Sequence, residues 1–170
     1  MVRRMLRPTL TLVTLSALSL AACGGSSSSG GGAPPAQPAN GAPIAFEVTR
    51  LTPGADRDGK LAVKGYNFSD KQLAGYTIAA RYTDDKGAPI KVGVGTPFEK
   101  DVAWTSMSGK DFLCKPKSWC KFEIEMIEVP AATRKAEVAL TGALALQADG
   151  FHFEDQEYWK SDKGMSEWPF

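Results

Sequence analysis

The chain is predicted to fold as an all-β, antiparallel β-sandwich, and two features of residues 44–170 carry this prediction. Apolar side chains recur at every second position through most of the segment, as they do in strands that bury one face. Turn-forming residues separate the alternating runs, among them Pro53-Gly54, Asp58-Gly59 and Asp85-Lys86-Gly87. The segment is long enough for one domain with its own hydrophobic core.

Five alternating runs justify the strands in chain order. In each run the larger apolar residues share one face, and polar or small residues stand between them. The residues predicted to share a face are Ile44, Phe46 and Val48; Leu61, Val63 and Gly65; Tyr76, Ile78, Ala80 and Tyr82; Phe122, Ile124 and Met126; and Val138, Leu140, Gly142, Leu144 and Leu146.

Two parts of this pattern leave alternatives open. Ile127 and Val129 fall on the face opposite Met126, and such a phase change fits either a bulge or the end of a strand. Residues 131–148 are rich in Ala and Leu, so a helix competes with a strand there. A helix would bury Gly142 and scatter the charged residues, and we therefore predict a strand.

About seven to eight short strands with frequent turns are typical of an immunoglobulin-like sandwich. A local motif agrees with this: Asn67-Phe68-Ser69-Asp70-Lys71, a strand from Tyr76 to Tyr82, and the hairpin segment Asp84-Asp85-Lys86-Gly87-Ala88-Pro89-Ile90. The motif resembles FxLYD-type domains, small immunoglobulin-like modules of secreted and lipid-anchored bacterial proteins. Thr83 stands between Tyr82 and Asp84, and the family's Phe-x-Leu triplet is missing. The resemblance implies a fold and lends no catalytic residues.

Residues 1–22 have the parts of a secretory signal peptide. A short apolar stretch follows a positive segment that contains Arg3, Arg4 and Arg7. The stretch is shorter than the roughly 20 residues that a permanent membrane span needs. It ends in Leu20-Ala21-Ala22-Cys23, which resembles the lipobox of bacterial lipoproteins.

The lipobox resemblance implies that Cys23 is the lipidation site. Its thiol would carry a diacylglyceryl group, the leader would be cut before it, and the acyl chains would hold the protein in a membrane. Gly24 stands where an Asp would retain an enterobacterial lipoprotein in the inner membrane, so we expect the outer membrane of a bacterial cell envelope. The alternative, an ordinary cleaved signal that ends in a Cys, is disfavoured by the Gly/Ser-rich segment that follows.

That segment is predicted to be a tether. Residues 24–43 contain no charge and no large apolar side chain, so they bury too little surface to offset their ordering entropy. The Gly/Ser half is typical of flexible coils and the Ala/Pro half of stiffer, extended chain. The predicted organisation is a signal peptide at 1–22, a lipidated Cys and linker at 23–43, and a β-sandwich domain at 44–170.

The charge balance excludes one class of partner. The chain carries 20 Lys and Arg against 19 Asp and Glu, and removal of the three leader arginines leaves 17 against 19, a net charge near −2. Both signs are interspersed, without the basic stripe that nucleic-acid binding requires. We expect no nucleic-acid partner and no cofactor.

Two cysteines remain after Cys23, and they enclose a short loop. In an oxidising compartment Cys114 and Cys120 are expected to form a disulfide. The ring is either a plain staple before the next strand or a rigid, presented loop. In the second interpretation Lys115, Lys117 and Trp119 form a contact surface.

The C-terminal segment is a second candidate contact surface. Residues 150–170 are rich in aromatic and acidic side chains, and Tyr158 and Trp159 stand out because exposed aromatic residues are favoured at interfaces. The alternative is an edge strand whose rings pack over one sheet.

Other candidate sites carry little weight. His152 is the only histidine and has no nucleophile in a recognisable motif. Asp56-x-Asp58-Gly59 looks like half of a calcium loop, but the further ligands are missing, and a hairpin turn explains it better. No metal site is predicted.

These observations predict a lipid-anchored, extracytoplasmic binding or scaffold module without enzymatic activity, whose partner is the membrane together with another envelope protein or a glycan. The alternative is a periplasmic enzyme inhibitor or immunity-type lipoprotein that uses the loop 114–120. A hydrolase is a third hypothesis, and it would require a cleft with paired carboxylates.

Overall fold

The structure is a computed structural model that describes residues 33–164 and 167–170. The leader, Cys23 and residues 24–32 lie outside the described residues. The described part contains one short 3₁₀ turn, Lys110–Phe112, and eight strands: β1 Ile44–Thr52, β2 Gly54–Asn67, β3 Leu73–Thr83, β4 Pro89–Ile90, β5 Ala103–Ser108, β6 Trp119–Val129, β7 Lys135–Ala145 and β8 Trp159–Lys160. Among the described residues, no helix is long and apolar enough to cross a membrane.

The strands form two antiparallel sheets. The first has the order β1-β2-β6. In the second, β3 pairs with β7 on one side and with β4 and β5 on the other, and β8 follows β7. The first two strands thus share a sheet with the later strand β6, while β3 pairs with β7 in the other sheet. The predicted all-β sandwich is confirmed.

The core lies between the two sheets and is built from the alternating residues. Ile44, Leu61 and Ile124 of the first sheet and Ile78 and Leu140 of the second are almost completely buried. Three rings join the two sheets, the buried Tyr76 and the partly buried Phe46 and Phe122. Phe46 meets Tyr76 edge-on at 5.9 Å between ring centroids, and Tyr76 stacks on Phe122 at 5.3 Å.

A bulge in β6 changes which residues face the core. The register shifts between the pairs Gly59–Ile127 and Leu61–Ile124, and Met126 has a left-handed φ of 54°. Met126 is 66% exposed, while Ile127 and Val129 are buried. The bulge that the phase change suggested is confirmed, but the prediction that Met126 shares the face of Ile124 is wrong, because the extra residue reverses the alternation.

A second bulge, in β7, also changes which residues face the core. Gly142 lies opposite Thr77 and Leu140 opposite Ile78, so Thr141 is an extra residue. Beyond it Ala143 and Ala145 join the core. Gly142 faces Thr77 and Glu157 on the other side of the sheet. The single face predicted for Val138, Leu140, Gly142, Leu144 and Leu146 is therefore broken at Thr141.

The segment for which a helix competed is a strand. Of residues 131–148, Lys135–Ala145 form β7. β7 pairs with the central strand β3 along most of its length, from Lys135 opposite Thr83 to Ala145 opposite Leu73. Small Ala and Gly side chains suit this position because neighbouring elements cover both of its faces.

The predicted turn after β3 is held by its first residue. The Asp84 carboxylate accepts hydrogen bonds from the N–H groups of Lys86 and Ala88, both at 2.8 Å. Gly87 adopts a φ of 81°, which favours glycine, and donates its N–H to the Asp84 carbonyl at 3.2 Å. The turn joins β3 to β4.

The chain contacts the sandwich before β1 begins. Ala42 is buried in the core cluster, and its N–H donates to the Asn40 side chain at 3.1 Å. The Pro43 carbonyl accepts the N–H of Phe68 at 2.8 Å. The last residues of the expected linker therefore pack against the domain.

The burial of two of the four tyrosines predicts how the stability of the fold changes at alkaline pH. Burial raises the pKa of both Tyr76 and Tyr82 well above the ordinary value. Because the folded-state pKa exceeds the unfolded value of about 10, their contribution to stability is complete below about pH 10 and is lost as the pH rises above it. We expect the ultraviolet absorbance of these two phenolates to appear together with unfolding.

The Tyr82 hydroxyl is buried and has no hydrogen-bond partner among the described residues, so Tyr82→Phe is a matched variant. It should keep the stability of the wild type at neutral pH and lose less of it at alkaline pH. Complete ionisation of all four tyrosines in a fully folded domain would contradict this account.

Candidate binding surface at the disulfide loop

The loop that the sequence singled out is closed by a disulfide. Cys114 and Cys120 are bonded, with their Cα atoms 5.3 Å apart, as predicted. Cys114 is buried, and Cys120 lies half-buried in the first part of β6. Such a small ring contributes roughly 2–2.5 kcal/mol by restricting the unfolded chain.

A buried amide joins this loop to the turn between β2 and β3. The Asn67 side chain is 0% exposed. Its Nδ2 donates to the carbonyls of Lys71 at 2.8 Å, Cys114 at 3.1 Å and Lys115 at 3.2 Å. Its Oδ1 accepts the N–H of Ser69 at 2.9 Å and the Ser69 hydroxyl at 2.7 Å. Both ends of the amide are satisfied, so its burial is favourable.

Main-chain hydrogen bonds hold the two ends of the loop. The N–H of Leu73 donates to the carbonyl of Cys114 at 3.0 Å, and the N–H of Cys114 donates back at 2.7 Å. The N–H of Asn67 donates to the Ser118 carbonyl at 3.0 Å. The loop is therefore fixed to the β2–β3 turn at its start and near its end.

Lys117 holds the middle of the loop. It has a left-handed φ of 49°. Its ammonium group donates to the Phe68 carbonyl and lies 3.3 Å from an Asp70 carboxylate oxygen. Its carbonyl accepts the Tyr66 hydroxyl at 3.2 Å. Lys115 and Lys117 are both exposed, and Lys117 contributes to the docking of the loop.

Three aromatic rings lie beside the loop, on the outer face of the first sheet. Tyr66 and Trp119 are directly opposite each other on β2 and β6, with ring centroids 5.4 Å apart, and Phe68 meets Tyr66 at 4.9 Å. All three are half-buried. We call Tyr66, Phe68 and Trp119 the aromatic patch.

Positive charge borders the aromatic patch. The Lys64 ammonium lies 5.4 Å from the centroid of Trp119, within the range of a cation–π interaction, and pairs with Glu47 at 2.8 Å. Lys115 and Lys121 are exposed on the same loop and strand. The patch offers aromatic faces and hydrogen-bond donors, which suit a protein surface or a sugar.

The other two candidate residues lie elsewhere. Trp159 is in β8, opposite Ala143, and packs against the core, while Tyr158 is 37% exposed. β5 approaches β6 and β1 approaches β7, so β6 and β8 belong to opposite edges of the sandwich. Trp119 and Trp159 therefore do not form one surface, and β8 supplies the edge strand that was the alternative for this segment.

Sequence reasoning missed two rings of the aromatic patch. Tyr66 follows Lys60, Ala62 and Lys64 on the polar face of β2. An aromatic residue on that face was the sequence signal that could have indicated an exposed contact residue. Phe68 lies in the Asn-x-Ser turn, and its ring contact with Tyr66, two residues earlier, brings it to the patch.

The remaining chemical candidates are isolated. The His152 ring lies 2.6 Å from the Asp149 carboxylate, and both residues are exposed. Hydrogen bonds from the His152 ring, and then from the N–H groups of Phe151 and His152, lower the pKa of Asp149 to about 2. Within residues 33–164 and 167–170, no three His, Cys, Asp or Glu side chains converge to hold a metal ion.

Comparison with protein-family models, with curated proteins and with solved structures gives no match for this chain. The surface is therefore interpreted from its own geometry.

Proposed function

We propose that the chain is a lipid-anchored, extracytoplasmic binding module without enzymatic activity, and that it contacts its partner through the aromatic patch. The partner is another envelope protein or a glycan. The observation that carries this proposal is the pre-organised loop 114–120, which presents Trp119 beside Tyr66 and Phe68. A surface fixed before binding loses little conformational entropy when the partner arrives.

The resemblance of Leu20-Ala21-Ala22-Cys23 to a lipobox supports the lipid anchor. With acyl chains on Cys23, residues 24–39 would separate the sandwich from the membrane surface. The module could then reach partners near the outer membrane, at a distance set by the tether.

The anchor predicts that Cys23→Ser moves the protein out of the membrane fraction, because acyl chains provide the membrane affinity. The measurement is fractionation of cells that express either form, with the mass of the purified wild-type protein as a second readout. A matched variant, Ser26→Ala, should stay in the membrane fraction. A membrane-bound Cys23→Ser protein, or a wild-type mass without acyl groups, would contradict the anchor.

The aromatic patch predicts that Trp119→Ala loses the partners that the wild-type chain captures from solubilised envelopes or from a glycan array. Tyr158→Ala is the matched control, since it removes an exposed ring at the opposite edge and should retain them. Lys115→Glu changes an exposed charge on the loop and should weaken capture without loss of thermal stability.

Retention of every partner by both Trp119→Ala and Lys115→Glu would mean that binding uses a different surface. If the captured partner is a hydrolase whose activity the wild-type chain suppresses, the module acts as an inhibitor. The docked loop, held by Asn67 and the disulfide, is the observation that favours this second function.

A further inference from the structure

The strand β5 has one unpaired edge. Among residues 33–164 and 167–170 it pairs with β3 only, from Ala103 opposite Ala80 to Ser108 opposite Gly75. The next pair, Ala74 and Gly109, is hydrogen-bonded, since the N–H of Gly109 donates to the Ala74 carbonyl at 2.9 Å. Because hydrogen-bonded pairs alternate in an antiparallel ladder, the main chain of Trp104, Ser106 and Ser108 points away from β3.

This edge lacks the features that usually block strand addition. β5 contains no proline and no charged side chain, and both Ser106 and Ser108 are exposed. The neighbouring strand β4, on the same side of β3, begins with Pro89. In the part of the chain that the structure describes, no hydrogen bond uses the outward main-chain groups of β5. An open, uncharged edge of this kind accepts another strand.

A cleft of about 480 Å³ adjoins this edge. Trp104, the half-buried second residue of β5, lines it together with Phe98, which is 78% exposed. Exposure of a large ring next to a cleft provides apolar surface for a ligand side chain. The cleft therefore offers an apolar contact directly beside the unpaired main chain.

Arg57 lies at the cleft on left-handed backbone, and its side chain contacts both β6 and β5. Asp56 and Arg57 have φ values of 48° and 74°, both left-handed, and Met126 on the facing strand has 54°. Arg57 Nε donates to the Met126 carbonyl at 3.0 Å, and its Nη2 lies 3.5 Å from Thr105 Oγ1 on β5. Left-handed non-glycine residues cost free energy, and clusters of them are found at binding sites.

The main chain on the two sides of Arg57 comes close together, at Gly54 and Asp58. A Cβ atom on Gly54 would lie 2.4 Å from the main-chain carbon of Asp58, so only glycine fits there. This close approach shapes the irregular start of β2, residues 54–59, which contains Arg57.

The charges at the cleft favour an anionic group. Arg57 and Lys100 both line it, and the Lys100 ammonium lies 5.9 Å from the centroid of Trp104. The carboxylate of Glu128 also lines the cleft and accepts the N–H of Gly93 with both oxygens at 3.0 Å. Glu99 nearby pairs with Lys91 at 3.0 Å. The acidic groups thus have partners, and Arg57 and Lys100 can face a carboxylate.

We propose that β5 binds an extended peptide segment of a partner protein as an added antiparallel strand. An acidic side chain of that segment faces Arg57 and Lys100, and an apolar side chain covers Phe98 and Trp104. Main-chain hydrogen bonds to Trp104, Ser106 and Ser108 supply affinity, and the cleft supplies selectivity. This inference rests on the proposed role as a binding module but uses a surface separate from the aromatic patch.

The test uses the full chain in a mild detergent and fluorescein-labelled octapeptides of alternating Val and Thr. The peptides carry Glu, Gln or Lys at one central position, and binding is measured by fluorescence polarisation. We expect the Glu peptide to bind about threefold to fivefold more tightly than the Gln peptide, and the Lys peptide to bind most weakly. Arg57→Gln should reduce the preference for Glu.

Strand addition has its own readout, which does not depend on a folded variant. N-methylation of the alternate peptide amides that face β5 should abolish binding, whereas N-methylation of the other amides should leave it unchanged. On the protein side, Ser106→Pro removes one outward N–H while the bonds to β3 remain, and it should weaken all three peptides.

Absence of binding for every peptide, or equal binding of both N-methylated forms, would overturn the proposal. A dimer of the chain that Ser106→Pro converts to a monomer would also overturn it, because the occupant would then be a second copy. Trp119→Ala should bind the peptides normally. Loss of peptide binding alone, with capture through the aromatic patch intact, would leave the proposed function standing.

Discussion

The fixed geometry of the candidate surface depends on one buried side chain, the amide of Asn67. It lies where β2 ends, and its five hydrogen bonds join the turn after β2 to the start of the disulfide loop. The disulfide by itself restricts only the ring 114–120. Asn67 joins this ring to the turn after β2, beside the point where the pairing of β2 with β6 sets Trp119 opposite Tyr66. A buried network with every member satisfied specifies one arrangement, since any other would leave polar atoms unpaired.

The second constraint is the set of bulges. In regular strands, polar and apolar residues would stay on alternate faces to the end of each sheet. Where the pairing of β2 and β6 is irregular, Met126 turns outward and Arg57 lies next to Thr105 of β5. The bulge at Thr141 exposes Gly142 to Glu157 and moves Ala143 and Ala145 into the core. Each bulge therefore changes what one surface of the sandwich can contact.

The sequence pattern predicted the strands, because the alternation of apolar and polar residues is a local property of each strand. Alternation identified the strands around Ile44, Leu61, Ile78 and Ile124, and the Ala-rich segment was correctly assigned to a strand because Gly142 and the charges did not fit a helix. The pairing of Cys114 with Cys120 followed from their spacing and the expected compartment. The position of the bulge in β7 could not be predicted, since Thr141 continues the alternation without a break. The contact of Asn67 with Cys114 and Lys115 joins residues far apart in the chain, and a turn motif alone does not reveal it.

The most direct test of this account is amide hydrogen exchange in Asn67→Ala, with Thr141→Val as the control. Thr141 is also buried and polar, but its hydroxyl has no hydrogen-bond partner in the part of the chain that the structure describes, so its removal should leave exchange unchanged. Loss of the Asn67 amide removes its five hydrogen bonds, including the acceptor of the buried Ser69 N–H, and should cost about 1–3 kcal/mol. We predict roughly tenfold or faster exchange at Ser69, Leu73 and Cys114, with Ile78 and Leu140 in the core still protected. Wild-type exchange rates at Ser69, Leu73 and Cys114 in Asn67→Ala would contradict the claim that this amide holds the loop in place.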